Sequence, residues 1–369
     1  MWSRRMRAAS HGIPHGFAFR CVPQSLDDAG ALRSLDRCDA GGDGRDRGEH
    51  CTADGQRHLR WPGSQDGLPR ESARPAADGS TLGKIEVVGP EAPAFLDRMY
   101  LTKASTIKVG RSKYMVNLRE DGMVLDDGVV LRLENHRFLA TTSSGHAQHM
   151  LSHFEHYRDT EWAGSKVIVT DVTEAWAMIV VAGPQSRHTL QSVLGCEWHG
   201  SLGRLGHMEF AQVRWRDRVL RVLRASFSGE LAFELHCRPS IALPLWEALV
   251  ESGPAPYGLE ALDILRVEKG YLVSSEINGQ TTPFDLGMSG LVKLGNPCVG
   301  SELLDRPAFH EPARPRLVGL RAADGRAKFL PGAQLTALDD PVHACGFVTS
   351  AVRIVPPVHF DPGGERIKA

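Results

Sequence analysis

The chain has 369 residues, 42% of them hydrophobic, enough for a large domain with a true core and too apolar for a chain disordered throughout. A net charge of −1 at pH 7 leaves no field to draw it to nucleic acid or to an anionic membrane surface. The longest apolar run, Ala175 to Gly183, is far below the roughly 20 residues of a membrane-spanning helix, and seven cysteines without a CxxC pair read as reduced thiols, so a soluble, cytoplasmic protein is expected.

The first part of the chain, up to Gly79, holds no lysine and no tyrosine, a single isoleucine (Ile13) and a single valine (Val22), while Arg, Asp and Gly recur between Gly41 and Gly48. Such a tract cannot bury enough apolar surface to offset chain entropy. Residues 1–79 are therefore expected to be a low-order arm, or a segment translated in a shifted frame. Arg4, Arg5, Arg7 and Arg20 precede the first acid, Asp27, but no apolar stretch follows them, which makes a targeting peptide the weaker reading.

From Ser80 the punctuation becomes that of an α+β protein. Ile85 to Val88 reads as a strand, and Pro90 to Tyr100 as a helix behind a Gly-Pro turn. Tyr114 to Leu118, Met123 to Leu133 and Arg137 to Thr142 form a three-strand meander, separated by Glu120-Asp121-Gly122 and Glu134-Asn135-His136. His146 to Tyr157 has helical spacing, Val167 to Thr173 and Ala177 to Val181 read as strands, and Gln185 to Leu194 as a helix. Two strands follow within Met208 to Arg224, then a short one at Phe233 to His236 and helices at Ile241 to Glu251 and Leu259 to Lys269. Pro312 and Pro315 mark a linker into a β-rich tail, so the expected domains are 80–311 and 312–369. No Gly-x-Gly-x-x-Gly follows a predicted strand, and no dinucleotide fold is expected in this chain.

Four groups of residues carry chemical interest. Asp126 and Asp127 fall mid-strand, where aspartate is disfavoured and alternation turns one of the two to a covered face. The bare pattern favours a bulge at Asp127-Gly128 with both acids solvated; the sharper reading is a carboxylate held near a ligand nitrogen. Glu234 alternates with Phe233 and Leu235, which makes it the solvent side of a half-exposed strand, or, if covered, a bidentate acceptor for two adjacent N–H groups. Trp176 and Tyr114 read first as core filler and second as walls for a flat ring. His146, His149, His153 and His156 share one helical face, but without the HExxH arrangement they read as a solvated or subunit-facing stripe, with no metal expected.

Six ordered segments then carry a family resemblance: Ser80 to Ala92, Leu118 to Val130, Val181 to Arg187, Ser226 to Leu235, Tyr257 to Gly270 and Asn278 to Met288. Together they resemble the aminomethyltransferase family of the glycine cleavage T-protein, most closely the folate domain that ends the alpha subunit of heterotetrameric sarcosine oxidase. The resemblance implies a multi-domain ring around a folate cavity, closed by a C-terminal β-barrel that is only partial here. It implies that Asp127 governs the nucleophilicity of folate N10 and that Glu234 contacts the pterin. Tyr114 would line the cavity, with Asp126, Trp176 and Phe227 as further cofactor-binding candidates.

The implied activity is capture of the oxidised methyl group of sarcosine, delivered as an imine, by tetrahydrofolate to give 5,10-methylenetetrahydrofolate, with glycine as the other product. FAD and NAD are expected only on a missing domain or on partner subunits, and the implied partners are the beta, gamma and delta subunits of the oxidase. Three departures accompany the resemblance. The lysine-free tract stands where the dinucleotide-binding half would be, Phe227 and Leu262 replace a tyrosine and an arginine of the T-protein, and the pattern is lost after Ser350. A T-protein-like aminomethyltransferase and an inactive fragment of the family stay open. An iron–sulfur assembly accessory protein is the weaker alternative, because no cysteine follows Lys269-Gly270-Tyr271 in the manner of that branch.

Overall fold

The computed structural model describes residues 6–8, 19–22, 75–195, 198, 202–293, 295–322, 329–337 and 344–350. Three strands belong to the stretch expected to lack order: β1 (Met6–Ala8), β2 (Phe19–Val22) and β3 (Pro75–Asp78). The first two pair with the tail, whereas β3 enters a large sheet, so that sheet includes Pro75–Asp78, ahead of Ser80. The reason is local: Pro-Ala-Ala-Asp has no bulky side chain but supplies backbone groups to Val181, Val180 and Ile179.

Five strands, β4 (Gly83–Val88), β5 (Ser112–Leu118), β6 (Val124–Glu134), β7 (Arg137–Thr142) and β8 (Ile168–Asp171), form an antiparallel sheet in the order β5-β6-β7-β4-β8. The expected meander is its centre. Ile85, Val87, Val130, Phe138 and Ala140 point to one face, where Phe95, Leu96 and Met99 of the helix Ala92–Met99 and Met150, Phe154 and Tyr157 of the helix Ala147–Asp159 cover them. The spacing of the second trio puts those side chains on one stripe and sets the histidine stripe beside it, where burial lowers the His153 pKa to about 4. His153 and His156 meet the Tyr157 ring edge-on, and His149 is exposed.

The second sheet adds β9 (Ala177–Ala182), β10 (Phe210–Trp215), β11 (Arg218–Leu223), β12 (Ala232–Cys237) and β13 (Ala255–Pro256), in the order β10-β11-β12-β9-β3-β13. Its outer face is packed by Leu190 and Leu194 of the helix Ser186–Leu194 and by Ile241, Leu245 and Leu249 of the helix Pro239–Glu251, against Val181, Phe233 and Leu235. The inner faces of the two sheets meet through Leu131, Leu133 and Leu139 on one side and Phe210, Leu223 and Ala225 on the other. Both sheets are thus covered on both faces over much of their area, and polar side chains of the inner faces lie inside the protein.

The tail supplies β14 (Leu320–Ala322), β15 (Gln334–Ala337) and β16 (Ala344–Phe347). They pair as β1-β14 and as β16-β15-β2, two small sheets around a minor core of Phe329, Ala333, Leu335 and Val348. Among the described residues no helix is long and apolar enough to cross a membrane.

Candidate active site between the sheets

Strand β6 runs unbroken through Asp126-Asp127-Gly128, paired residue for residue with Asn117, Val116 and Met115 of β5. The bulge favoured by the bare pattern is absent at that point, and Gly128 is the reason. A Cβ there would stand 1.9 Å from the Thr141 carbonyl oxygen of β7, so only glycine lets the two strands close. Thr141 completes the join, its hydroxyl accepting from the Val129 N–H at 2.9 Å and donating to the Val129 carbonyl at 3.2 Å.

With the strand continuous, the two aspartates take opposite faces. Asp126 is 1% exposed and is turned to the helix side, where Oδ2 accepts the Ser143 N–H at 3.1 Å and Oδ1 lies 3.2 Å from His146 Nδ1. Both of its oxygens meet the loop that starts the helix. Asp127 takes the face shared with Val129 and Leu131. The Tyr114 hydroxyl donates to its Oδ2 at 2.6 Å. Burial pushes the Asp127 carboxyl up to about 6, helped by the neighbouring Asp126 charge and opposed by the Tyr114 hydrogen bond. The Tyr114 phenol is in turn held well above its usual range by burial and by the Asp127 carboxylate.

Beside this pair lies an aromatic surface. Tyr114 is 36% and Phe227 37% exposed, so each ring keeps a face open. Phe227 stacks on Tyr271 with centroids 5.9 Å apart and planes 16° from parallel, and the Tyr271 hydroxyl is close enough to Tyr114 to raise its pKa. Tyr271 was not among the sequence candidates. The signal that could have found it is Gly270, whose φ of 80° closes the helix Leu259–Lys269. The Tyr271 N–H bonds the Arg266 carbonyl at 2.8 Å, a cap that aims the residue after the glycine back toward the body. Tyr271 also lines a cavity of about 460 Å³ bounded by Arg266, Leu286, Phe329 and Val348.

Strand β12 contributes the third element. Phe233, Leu235 and Cys237 go into the outer core, and alternation sends Glu234 and His236 inward, between the sheets. The solvent-side reading of Glu234 fails because the first sheet covers that face; its side chain is only 14% exposed. His236 is fully buried, with Nε2 3.4 Å from Glu234 Oε2. Lys84, also buried, donates to the Ser80 and Leu82 carbonyls at 2.9 and 2.8 Å. Burial lowers its pKa, against the pull of Glu174, Asp78 and Glu234. Burial and the Glu234 charge together hold the Tyr257 phenol above its usual range.

Trp176 does not join these groups as a stacking wall. It is 8% exposed, and the guanidinium carbons of Arg221 and Arg238 stand 4.6 and 4.4 Å from its ring centroid, so its aromatic surface is already taken by cation–π contacts. It lies among the buried core residues, the first reading that the sequence pattern gave it. The inner faces therefore bring together Asp127, Tyr114, Tyr271 and Phe227 as one constellation and Glu234, His236, Lys84 and Tyr257 as another, and leave Asp126 and Trp176 outside both.

Two facing sheets, one antiparallel and one mixed, with acids and aromatics between them and helices outside define an α+β protein with an acid–aromatic site. A protein-family model described as the GCVT N-terminal domain matches residues 71–296. The aminomethyltransferase of Streptomyces coelicolor is 32% identical over 79% of this chain and 80% of its own length. The chain belongs to the GCVT aminomethyltransferase family. The crystal structure of the glycine cleavage system aminomethyltransferase T from Bartonella henselae matches it with a TM-score of 0.66 at 26% identity, over 76% of this chain and 75% of that one. The chain has the fold of that protein. The alpha subunit of sarcosine oxidase from Rhizobium meliloti is 36% identical over 70% of this chain, yet the chain spans only 27% of that subunit.

Proposed function

We propose that this chain is a tetrahydrofolate-dependent one-carbon transfer module of the sarcosine oxidase alpha type, its folate site formed by Asp127, Tyr114, Phe227 and Glu234. The observation that carries the reading is the Tyr114–Asp127 pair: a buried carboxylate with a pKa of about 6, hydrogen-bonded at 2.6 Å and bordered by exposed aromatic rings.

The residues present fit such a ligand. Tyr114 and Phe227 offer apolar faces to a flat ring, and Glu234 is an acceptor-only group suited to a ring edge with adjacent N–H donors. Tetrahydrofolate, when bound, supplies the amine nitrogens that accept the one-carbon unit. Tyr114 holds Oδ2 of Asp127, and the carboxylate, which also takes its own backbone N–H, has lone pairs left to accept from such an amine. With a pKa near 6 the carboxyl is mostly ionised at neutral pH and can still take a proton, the condition for general-base work worth about 10²- to 10⁴-fold. Tyr114 fixes the carboxylate plane, and burial keeps competing water few.

Sarcosine oxidation itself falls outside this chain in the reading. FAD and NAD would sit on the remainder of an alpha subunit or on beta, gamma and delta subunits, and the module would receive an imine from them. The match to sarcosine oxidase alpha subunits supports this choice of donor. Coverage of 80% of the Streptomyces coelicolor aminomethyltransferase favours a second reading, in which a carrier-bound aminomethyl group is the donor. Supplying each donor to the purified chain with tetrahydrofolate, and following methylene transfer, separates the two.

The binding half of the proposal is tested by calorimetric titration with 5-formyltetrahydrofolate, on the wild type and on Glu234→Gln. Saturable binding that weakens about tenfold or more in the variant is expected, the scale of a hydrogen bond to a charged group. A cooperatively melting wild type that gives no heat with this ligand would remove the folate reading.

A further inference from the structure

We propose that His236 is a positioning residue for Glu234: its Nε2–H holds one carboxylate oxygen so that the other faces the ligand. The inference rests on the folate reading above and goes beyond it, because His236 touches no ligand itself.

His236 and Glu234 are two residues apart on β12, so their side chains leave the same face of the strand. The imidazole is fully buried, and Nε2 lies 3.4 Å from Glu234 Oε2. Its Nδ1 is buried and makes no hydrogen bond among the described residues. The cross-strand neighbour of His236 is Arg221 of β11, itself 2% exposed, with Nε and Nη1 also making no hydrogen bond among the described residues. The charged groups that reach the ring are Glu234, Arg221 and Lys84. Arg221 and Lys84 are donors only, so neither can receive a proton from the imidazole.

Burial, Arg221 and Lys84 hold the His236 pKa below its usual value against the pull of Glu234, which leaves the ring neutral near pH 7 with a single N–H. Glu234 is the one acceptor in range among these charged groups. An N–H at Nδ1 would be buried without a partner and would leave Nε2 lone pair against carboxylate, two unfavourable contacts in place of one favourable one. The Nε2–H tautomer is selected, and Glu234 receives a donor from the protein at Oε2. Glu234 is otherwise a long side chain with three torsions in a polar layer, so this contact is what restricts its carboxylate plane before the ligand arrives.

The test uses the full chain and 5-formyltetrahydrofolate as the probe, with His236→Leu, which removes the donor, His236→Gln, which restores an N–H, and each of these combined with Glu234→Gln. The expectation is a roughly tenfold loss of affinity in His236→Leu, recovery to within about threefold in His236→Gln, and no further loss when His236→Leu is added to Glu234→Gln. Wild-type affinity in a folded His236→Leu, or an equal loss from it in the Glu234→Gln background, would overturn the positioning role while leaving Glu234 as a ligand contact. No effect of Glu234→Gln alone would instead take away Glu234 as a ligand contact, and this inference with it, whereas a folded wild type that gives no heat would remove the folate reading itself. A ring-nitrogen NMR spectrum of the wild type provides a readout independent of any variant's folding: a protonated Nε2 and bare Nδ1 are expected, and the opposite tautomer overturns the proposal.

Discussion

Two carboxylates one residue apart on β6 meet opposite fates. Asp126, on the helix side of the sheet, has a backbone N–H on one oxygen and an imidazole on the other and is closed to solvent. Asp127, on the side facing the second sheet, takes a tyrosine hydroxyl and its own backbone N–H, and stands beside Tyr114 and Phe227 rings that are 36% and 37% exposed. The first acid is saturated by its own protein and serves the architecture. The second is left short of partners in a dry setting, which raises its pKa and makes it available to a ligand. A satisfied buried acid stabilises; an under-satisfied one is held ready by the scaffold at some expense of stability.

The contrast depends on β6 remaining a continuous strand, and the largest expected effect follows from breaking it. Gly128→Ala places a methyl 1.9 Å from a backbone oxygen of β7, where no side-chain rotation can relieve the clash. A loss of about 4 kcal/mol or more, read as a large drop in the urea midpoint, is expected, together with loss of ligand binding. A variant that melts like the wild type would mean that β6 and β7 part easily and that the opposed faces are not enforced. Next in size, Asp126→Ala orphans the Ser143 N–H and the His146 ring nitrogen, for an expected loss of about 3 kcal/mol at pH 7. In that variant folate affinity should fall only as far as folding does.

How much of this could be read from sequence differs from residue to residue. Alternation alone put Asp126 and Asp127 on opposite faces and Glu234 opposite Phe233, all of which the structure keeps. What alternation cannot express is whether a face is covered by something distant. Glu234 looked like a solvent-side residue because the sheet that encloses it is built from β4 to β8, far earlier in the chain. The pattern read Trp176 first as core filler, but could not show the two arginines over its ring, which come from β11 and from Arg238 after β12. The cap that aims Tyr271 was legible in Lys269-Gly270, but the ring it meets, Phe227, is 44 positions away in sequence and unrelated by any period. Pro75–Asp78 was hidden for a different reason: its role is backbone pairing, which composition does not report. The family motifs supplied what periodicity could not, a reason to treat Asp127 and Glu234 as ligand-facing acids.

The comparison sharpens further through the sign of a substitution at Asp127. Its pKa is raised in the fold from 3.8 to about 6, so the protonated form is the one the native state favours. The corresponding stabilisation is fully present below about pH 4 and lost as pH rises through 6. Above that the native protein carries an ionised, partly desolvated carboxylate at an expense of about 3 kcal/mol. Asp127→Asn removes the charge and keeps an acceptor for Tyr114, so it should raise stability at pH 8 by about 2 kcal/mol, with little change at pH 4, while one-carbon transfer falls. Melting curves of both proteins at the two pH values decide the matter. Equal shifts at pH 4 and pH 8 would mean that burial is not what perturbs this acid.

The smallest effect is the most informative about the pair itself. Tyr114→Phe removes the hydroxyl that holds the Asp127 pKa down while leaving the ring and its exposed face in place. Stability should change by about 1 kcal/mol or less, since a hydrogen bond is lost and a buried hydroxyl with it. The acid limb of the transfer-rate profile, which reports ionisation of Asp127, should move upward from about pH 6 by half a unit to one unit. In the Asp127→Asn background the same change should leave no such limb to move. If the limb stays near its wild-type position in Tyr114→Phe, the group that titrates there is not Asp127, and the distinction between the two faces of β6 would be one of packing without catalytic content.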